Sequence, residues 1–152
     1  MNAVCLLVAG VLRATLPTAE FTLAWTHSVQ KTRWEERYRV AGSDLELVAA
    51  RVQSSGAGME PPPQAHLRDG WWSWRPTVPP LPQLLLTLSP FTRDYDLCFR
   101  GQCRALHELV TDSRAFDRAP GDAAADVEVV VVRPCSRTTG STPRSDRSSG
   151  WG

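Results

Sequence analysis

Apolar and polar residues alternate with period two through much of the chain. Phe21, Leu23, Trp25, His27 and Val29 fall on one side of an extended segment, and Thr22, Ala24, Thr26 and Ser28 on the other. Trp34, Glu36, Tyr38 and Val40 alternate in the same way with Glu35, Arg37 and Arg39. Successive side chains of a strand point to opposite faces, so both segments read as half-buried strands. Val4–Ala9 and Val11–Leu16 flank Gly10 and read as a hairpin, and Leu45–Val52 reads as a further strand. Leu84, Leu86 and Leu88 mark another, and the β-branched run Val127–Val132 the last, ending at Pro134-Cys135. Asp69-Gly70 is a hairpin turn signal, followed by Trp71-Trp72-Ser73-Trp74, in which Trp72 and Trp74 share a face. Only Leu106, Leu109 and Val110 keep helical spacing, and polar Ser113 ends it, so a short helix or an irregular connection is expected there.

Twelve Pro and ten Gly cut the chain into short segments. A Pro inside a helix costs about 3 kcal/mol, which leaves little room for helix between Gly56 and Pro90. The pattern predicts an all-β fold: a single antiparallel β-sandwich or flattened barrel built from hairpins over residues 1–135. Residues 136–152 are mostly Ser, Thr, Arg and Gly and are expected to form a disordered tail.

Charge narrows the function classes. The chain holds 17 Lys+Arg and 16 Asp+Glu, a net of +1. This averages a net of −1 over residues 1–135 and +2 over the tail. Such a balance gives no support to a nucleic-acid partner, which needs a basic surplus on one face. No apolar run reaches the 18 or so residues of a transmembrane helix. The apolar stretch Ala3–Leu12 has no charged side chain before it and a poor cleavage site after it, so the hairpin reading is favoured over an export signal. The compartment is left open.

Two polar residues stand on the apolar face of the first long hairpin. If Gln30-Lys31-Thr32-Arg33 joins its strands and Val29 pairs with Trp34, then Trp25 faces Tyr38 and His27 faces Glu36. Opposite residues of this kind satisfy one another. Pairing favours both charged forms, while burial opposes them. A satisfied structural pair, a ligand-binding or proton-linked site, and an acid/base dyad are the three readings. No nucleophile or third group accompanies the pair. The segment Ser54-Ser55-Gly56-Ala57-Gly58-Met59-Glu60 then leads into three prolines. Its glycines would let backbone N–H groups converge on an anion, but it lacks the Gly-Lys-Ser/Thr end of a P-loop and the helix of a dinucleotide site. No cofactor is implied. The candidate binding residues are therefore His27, Ser28, Lys31, Glu36, Gly56, Gly58 and Glu60.

Four cysteines allow three pairings. With Arg100-Gly101 as a turn, Cys98 opposes Cys103, as a disulfide requires. Free thiols, or a metal held with His107, are the alternatives, the latter short of ligands. Cys5 and Cys135 would form a second bridge if the terminal strands are neighbours. Two disulfides would imply an oxidising compartment such as the periplasm.

His27-Ser28-Val29-Gln30-Lys31-Thr32, Glu36, Gly56–Pro63, Asp69-Gly70-Trp71-Trp72 and Leu97-Cys98 with Cys103 together resemble a bacterial family, the domain of unknown function 1850. The family pattern looks like His-Ser-Val-Glu-Lys with a Glu five residues after the Lys. Glu36 fills that last position, and Gln30 stands where the family has its first Glu. The resemblance spans roughly residues 5–135 and implies no established activity. It implies association with tripartite ATP-independent periplasmic (TRAP) transporters of the TAXI type, which import small organic anions. The expectation is a non-enzymatic accessory or interaction module, whose partners are transporter subunits or a small organic anion. The alternative is an enzyme or binding protein for a small carboxylated ligand, using His27 and Glu36.

Overall fold

A computed structural model describes residues 2–26, 32–53, 61–90, 93–111 and 127–136. The elements are β1 (Asn2–Val8), β2 (Val11–Leu16), β3 (Glu20–Thr26), β4 (Arg33–Ala41), β5 (Asp44–Gln53) and β6 (His66–Arg68). They continue with β7 (Trp71–Trp74), β8 (Leu84–Leu88), β9 (Asp96–Phe99), β10 (Gln102–Ala105), α1 (Leu106–Val110) and β11 (Glu128–Ser136). The short β6/β7 and β9/β10 hairpins turn on Asp69-Gly70 and Arg100-Gly101, whose residues all have positive φ. That is the backbone of a two-residue turn whose twist matches the strands it joins.

The strands make two antiparallel sheets and no closed barrel, which resolves the expected sandwich-or-barrel choice toward two layers. One sheet has the order β2-β1-β11-β8, the other β10-β9-β3-β4-β5-β7-β6. Their inner faces share one core. Val4, Leu6, Val8, Leu16, Leu84, Leu86, Val130 and Val132 meet Phe21, Leu23, Tyr38, Val40, Leu45 and Leu97 across it. Leu106 and Val110 place α1 in the same core. The helix ends after five residues, and the Thr111 N–H closes it on the His107 carbonyl at 2.9 Å.

β1 lies between β2 and β11 and is buried from Ala3 to Val8. That central place explains a run that is apolar without alternating. The expected N-terminal hairpin is present, with a bulge between Leu6 and Leu7. β11 runs through Ser136, one residue past the expected boundary. Pro134 sits within it opposite Val4, beyond the last pair with β8 at Val132 and Leu84, so the missing N–H breaks no ladder on that side. The rest of the expected tail lies outside the described residues.

Because β1 pairs with β11, the first and last cysteines meet. Cys5 is bonded to Cys135 with their Cα atoms 5.8 Å apart, and Cys98 to Cys103 at 4.0 Å. The second pair are direct cross-strand partners, as the turn position implied. The free-thiol and metal alternatives for Cys98 and Cys103 are thereby replaced, and His107 pairs with Asp94 instead.

The register of β3 with β4 differs from expectation. Trp25 is opposite Trp34, Leu23 opposite Glu36 and Phe21 opposite Tyr38. Every partner is displaced by four residues from the expected pairing. An even displacement keeps each side chain on its face, so the face assignment stands while the partners change. The aromatic stacks account for it: Trp25 on Trp34, with centroids 6.1 Å apart, and Phe21 on Tyr38 at 5.4 Å. Glu36 consequently stands across from Leu23. Described pairing ends at Thr26 with Arg33.

Candidate functional site

Of the expected binding residues, only Glu36 is described; His27, Ser28, Lys31, Gly56, Gly58 and Glu60 lie outside the described residues. Glu36 is half-buried on the inner face of the seven-stranded sheet, between Leu23 on β3 and Ala50 on β5. Its carboxylate is satisfied along its own strand. The Tyr38 hydroxyl, two residues on and on the same face, donates a hydrogen bond to Glu36 Oε2. Burial, then this bond and the nearby negative charge, raise the Tyr38 pKa far above the ordinary tyrosine value. The tyrosine therefore stays a neutral donor, and the carboxylate an acceptor.

Beyond Glu36 the inner face is aromatic. Trp25 stacks on Trp34, Tyr95 meets Trp25 edge-on at 6.0 Å, and Trp74 meets Trp34 edge-on at 6.3 Å. All four rings are half-buried. They mark one end of the sheet, for a topological reason. β3 ends, β4 begins, β5 ends and β7 begins there, since Thr26 pairs with Arg33, Trp34 with Val52 and Gln53 with Trp71. Thr26 and Gln53 thus lie at this end, next in sequence to the segments that hold the other expected residues, which lie outside the described residues. The alternation Trp71-Trp72-Ser73-Trp74 anticipated part of this: Trp74 joins the inner cluster, while Trp71 lies on the outer face beneath Arg51, whose Cζ is 4.1 Å from the ring centroid.

The outer face of the same end carries an ionic chain drawn from three strands. Glu35 accepts from Arg51 at 2.8 Å and from Arg33 at 3.3 Å, and Arg33 reaches Asp96 at 3.5 Å. The alternation in sequence puts Glu35, Arg37 and Arg39 together on that face. Their partners come from β5 and β9, which only the sheet order brings alongside. Further along, Arg39 pairs with Glu46 at 2.8 Å.

These features define a class: a two-sheet, disulfide-linked β protein with an aromatic end to its larger sheet. The chain belongs to the family described as a domain of unknown function, DUF1850, whose model matches residues 21–106. The match takes in β3 to β10 and the start of α1, which includes the whole larger sheet, the aromatic end and Glu36. No curated protein and no solved structure matches the chain. Among the described residues, no helix is long and apolar enough to cross a membrane.

Proposed function

We propose that the chain is a non-enzymatic accessory or interaction module linked to TRAP-type uptake of small organic anions. The observation that carries this reading is the pair of disulfides, Cys5–Cys135 and Cys98–Cys103. Such bonds persist in an oxidising compartment, and the solute-binding proteins of TRAP systems work in one, the periplasm. Membership in a family whose pattern resembles that of transporter-linked proteins supports the same assignment. The docking surface is the aromatic end, since half-buried tryptophan and tyrosine are the residues that most often anchor protein interfaces. Glu36 braces that end from within. The Tyr38 hydroxyl already engages Glu36, which favours a bracing role over an acid/base role in an enzyme. Deleting the gene and measuring organic-anion uptake through the neighbouring transporter tests the proposal. Loss of uptake for at least one anion is expected, and unchanged uptake across the anions tried would overturn it.

A further inference from the structure

On the outer face of the seven-stranded sheet, away from Glu36 and the tryptophan stack, lies a depression of about 350 Å³. Thr22, Glu35, Arg37, Ala49, Arg51 and Ser73 line it. Its shape follows from residue size and register. Arg37 on the central strand β4 has Thr22 on one side and Ala49 on the other. One row along, Glu35 is opposite Arg51, and Arg51 is opposite Ser73. Short side chains on three strands leave a trough between long ones. Its volume is at the small end of the range for ligand sites.

The charges in the trough are not equivalent. Arg51 is bonded to Glu35 and lies over Trp71, and Arg33 is shared between Glu35 and Asp96. Arg39 is held by Glu46. Arg37 has no ion-pair or hydrogen-bond partner among the described residues. A guanidinium presents its donors in a planar fork that matches a carboxylate. The Thr22 hydroxyl shares its cross-strand row. Glu35 stands two residues along β4, about 7 Å away at ordinary strand rise. Its negative charge disfavours a second charge on the ligand. The Ala49 methyl supplies an apolar wall for a short carbon chain.

We propose that this depression is a binding site for a small monocarboxylate, whose carboxylate is held by Arg37 and Thr22 and whose short chain lies toward Ala49 and Ser73. The site is separate from the aromatic end and does not rest on the transporter reading, so binding and uptake can fail independently. The test is a titration of the full-length oxidised protein with sodium propionate, followed by amide ¹H–¹⁵N shifts, with inorganic phosphate and sodium chloride as comparators at equal ionic strength. Propionate is expected to move the amides of Thr22, Arg37, Ala49 and Ser73 with one saturation curve, at a half-point of roughly 1–10 mM. Arg37→Gln should weaken it at least tenfold. Arg39→Gln, on the same strand face but already paired, should change it less than twofold. Thr22→Val keeps the β-branched shape and provides a second, independent loss of about threefold. Propionate binding that survives Arg37→Gln, shifts centred elsewhere, or phosphate binding as tight as propionate would each overturn the assignment.

Discussion

The two disulfides close very different loops, and that difference is measurable. Cys5 and Cys135 are 130 residues apart in sequence, Cys98 and Cys103 only 5. A cross-link restricts the unfolded chain in proportion to the logarithm of the loop it closes. On that basis the long loop contributes about 5 kcal/mol and the short one about 2 kcal/mol. The native geometry gives the long bond its setting: β1 and β11 are already paired along seven residues each, so the bond adds to a formed interface. The perturbation is a pair of double variants, Cys5→Ala/Cys135→Ala and Cys98→Ala/Cys103→Ala, each keeping the other bond. Urea unfolding followed by tryptophan fluorescence reads the result. At about 2 kcal/mol per molar of urea, the midpoints should lie about 1–2 M apart, with the long-loop variant less stable. A loss of about 5 kcal/mol is comparable to the whole stability of many domains, so both variants are compared at 10 °C, where a folded baseline is better kept. Equal midpoints, or a greater loss in the short-loop variant, would refute the chain-entropy reasoning.

Other consequences can be checked separately. The raised Tyr38 pKa means that the folded state holds a proton the unfolded state gives up above about pH 10, so stability should fall as pH rises past that value; Tyr38→Phe should flatten the fall, as read by urea midpoints between pH 8 and 11. Leu97 is fully buried between the sheets, and Leu97→Ala should cost about 2–5 kcal/mol in the same assay. Ala9 opens the β1/β2 turn with φ of 50°, a conformation that suits Asn better than Ala, so Ala9→Asn should stabilise by about 0.5–1 kcal/mol and raise the thermal midpoint.

Much of this fold is legible in the sequence because a strand writes its two faces at period two. That is why the sidedness of Phe21–Thr26 and Trp34–Val40 agrees with the structure, and why three turn signals fall where the chain reverses. Register is a different kind of information. It depends on which side chains pack best across strands, and the register observed here is the one that stacks Trp25 on Trp34 and Phe21 on Tyr38. The partner of Glu36 is Tyr38, two residues away on the same face, a same-strand contact that cross-strand pairing does not encode. The second cysteine bridge was conditional on the terminal strands being neighbours, which the β1–β11 pairing satisfies. The outer-face cluster was legible on β4 alone. Arg51, Ser73 and Asp96 join it through sheet order, which local pattern does not encode.

The central functional claim is that this β module serves organic-anion uptake. The most direct measurement is the initial rate of labelled organic-anion uptake in cells that lack the gene, with the native chain or the Trp34→Ala variant returned on a plasmid. Native chain should restore uptake, and Trp34→Ala, which opens the aromatic end between Trp25 and Trp74, should restore it poorly despite equal protein levels. Uptake that is the same with and without the gene would contradict the account.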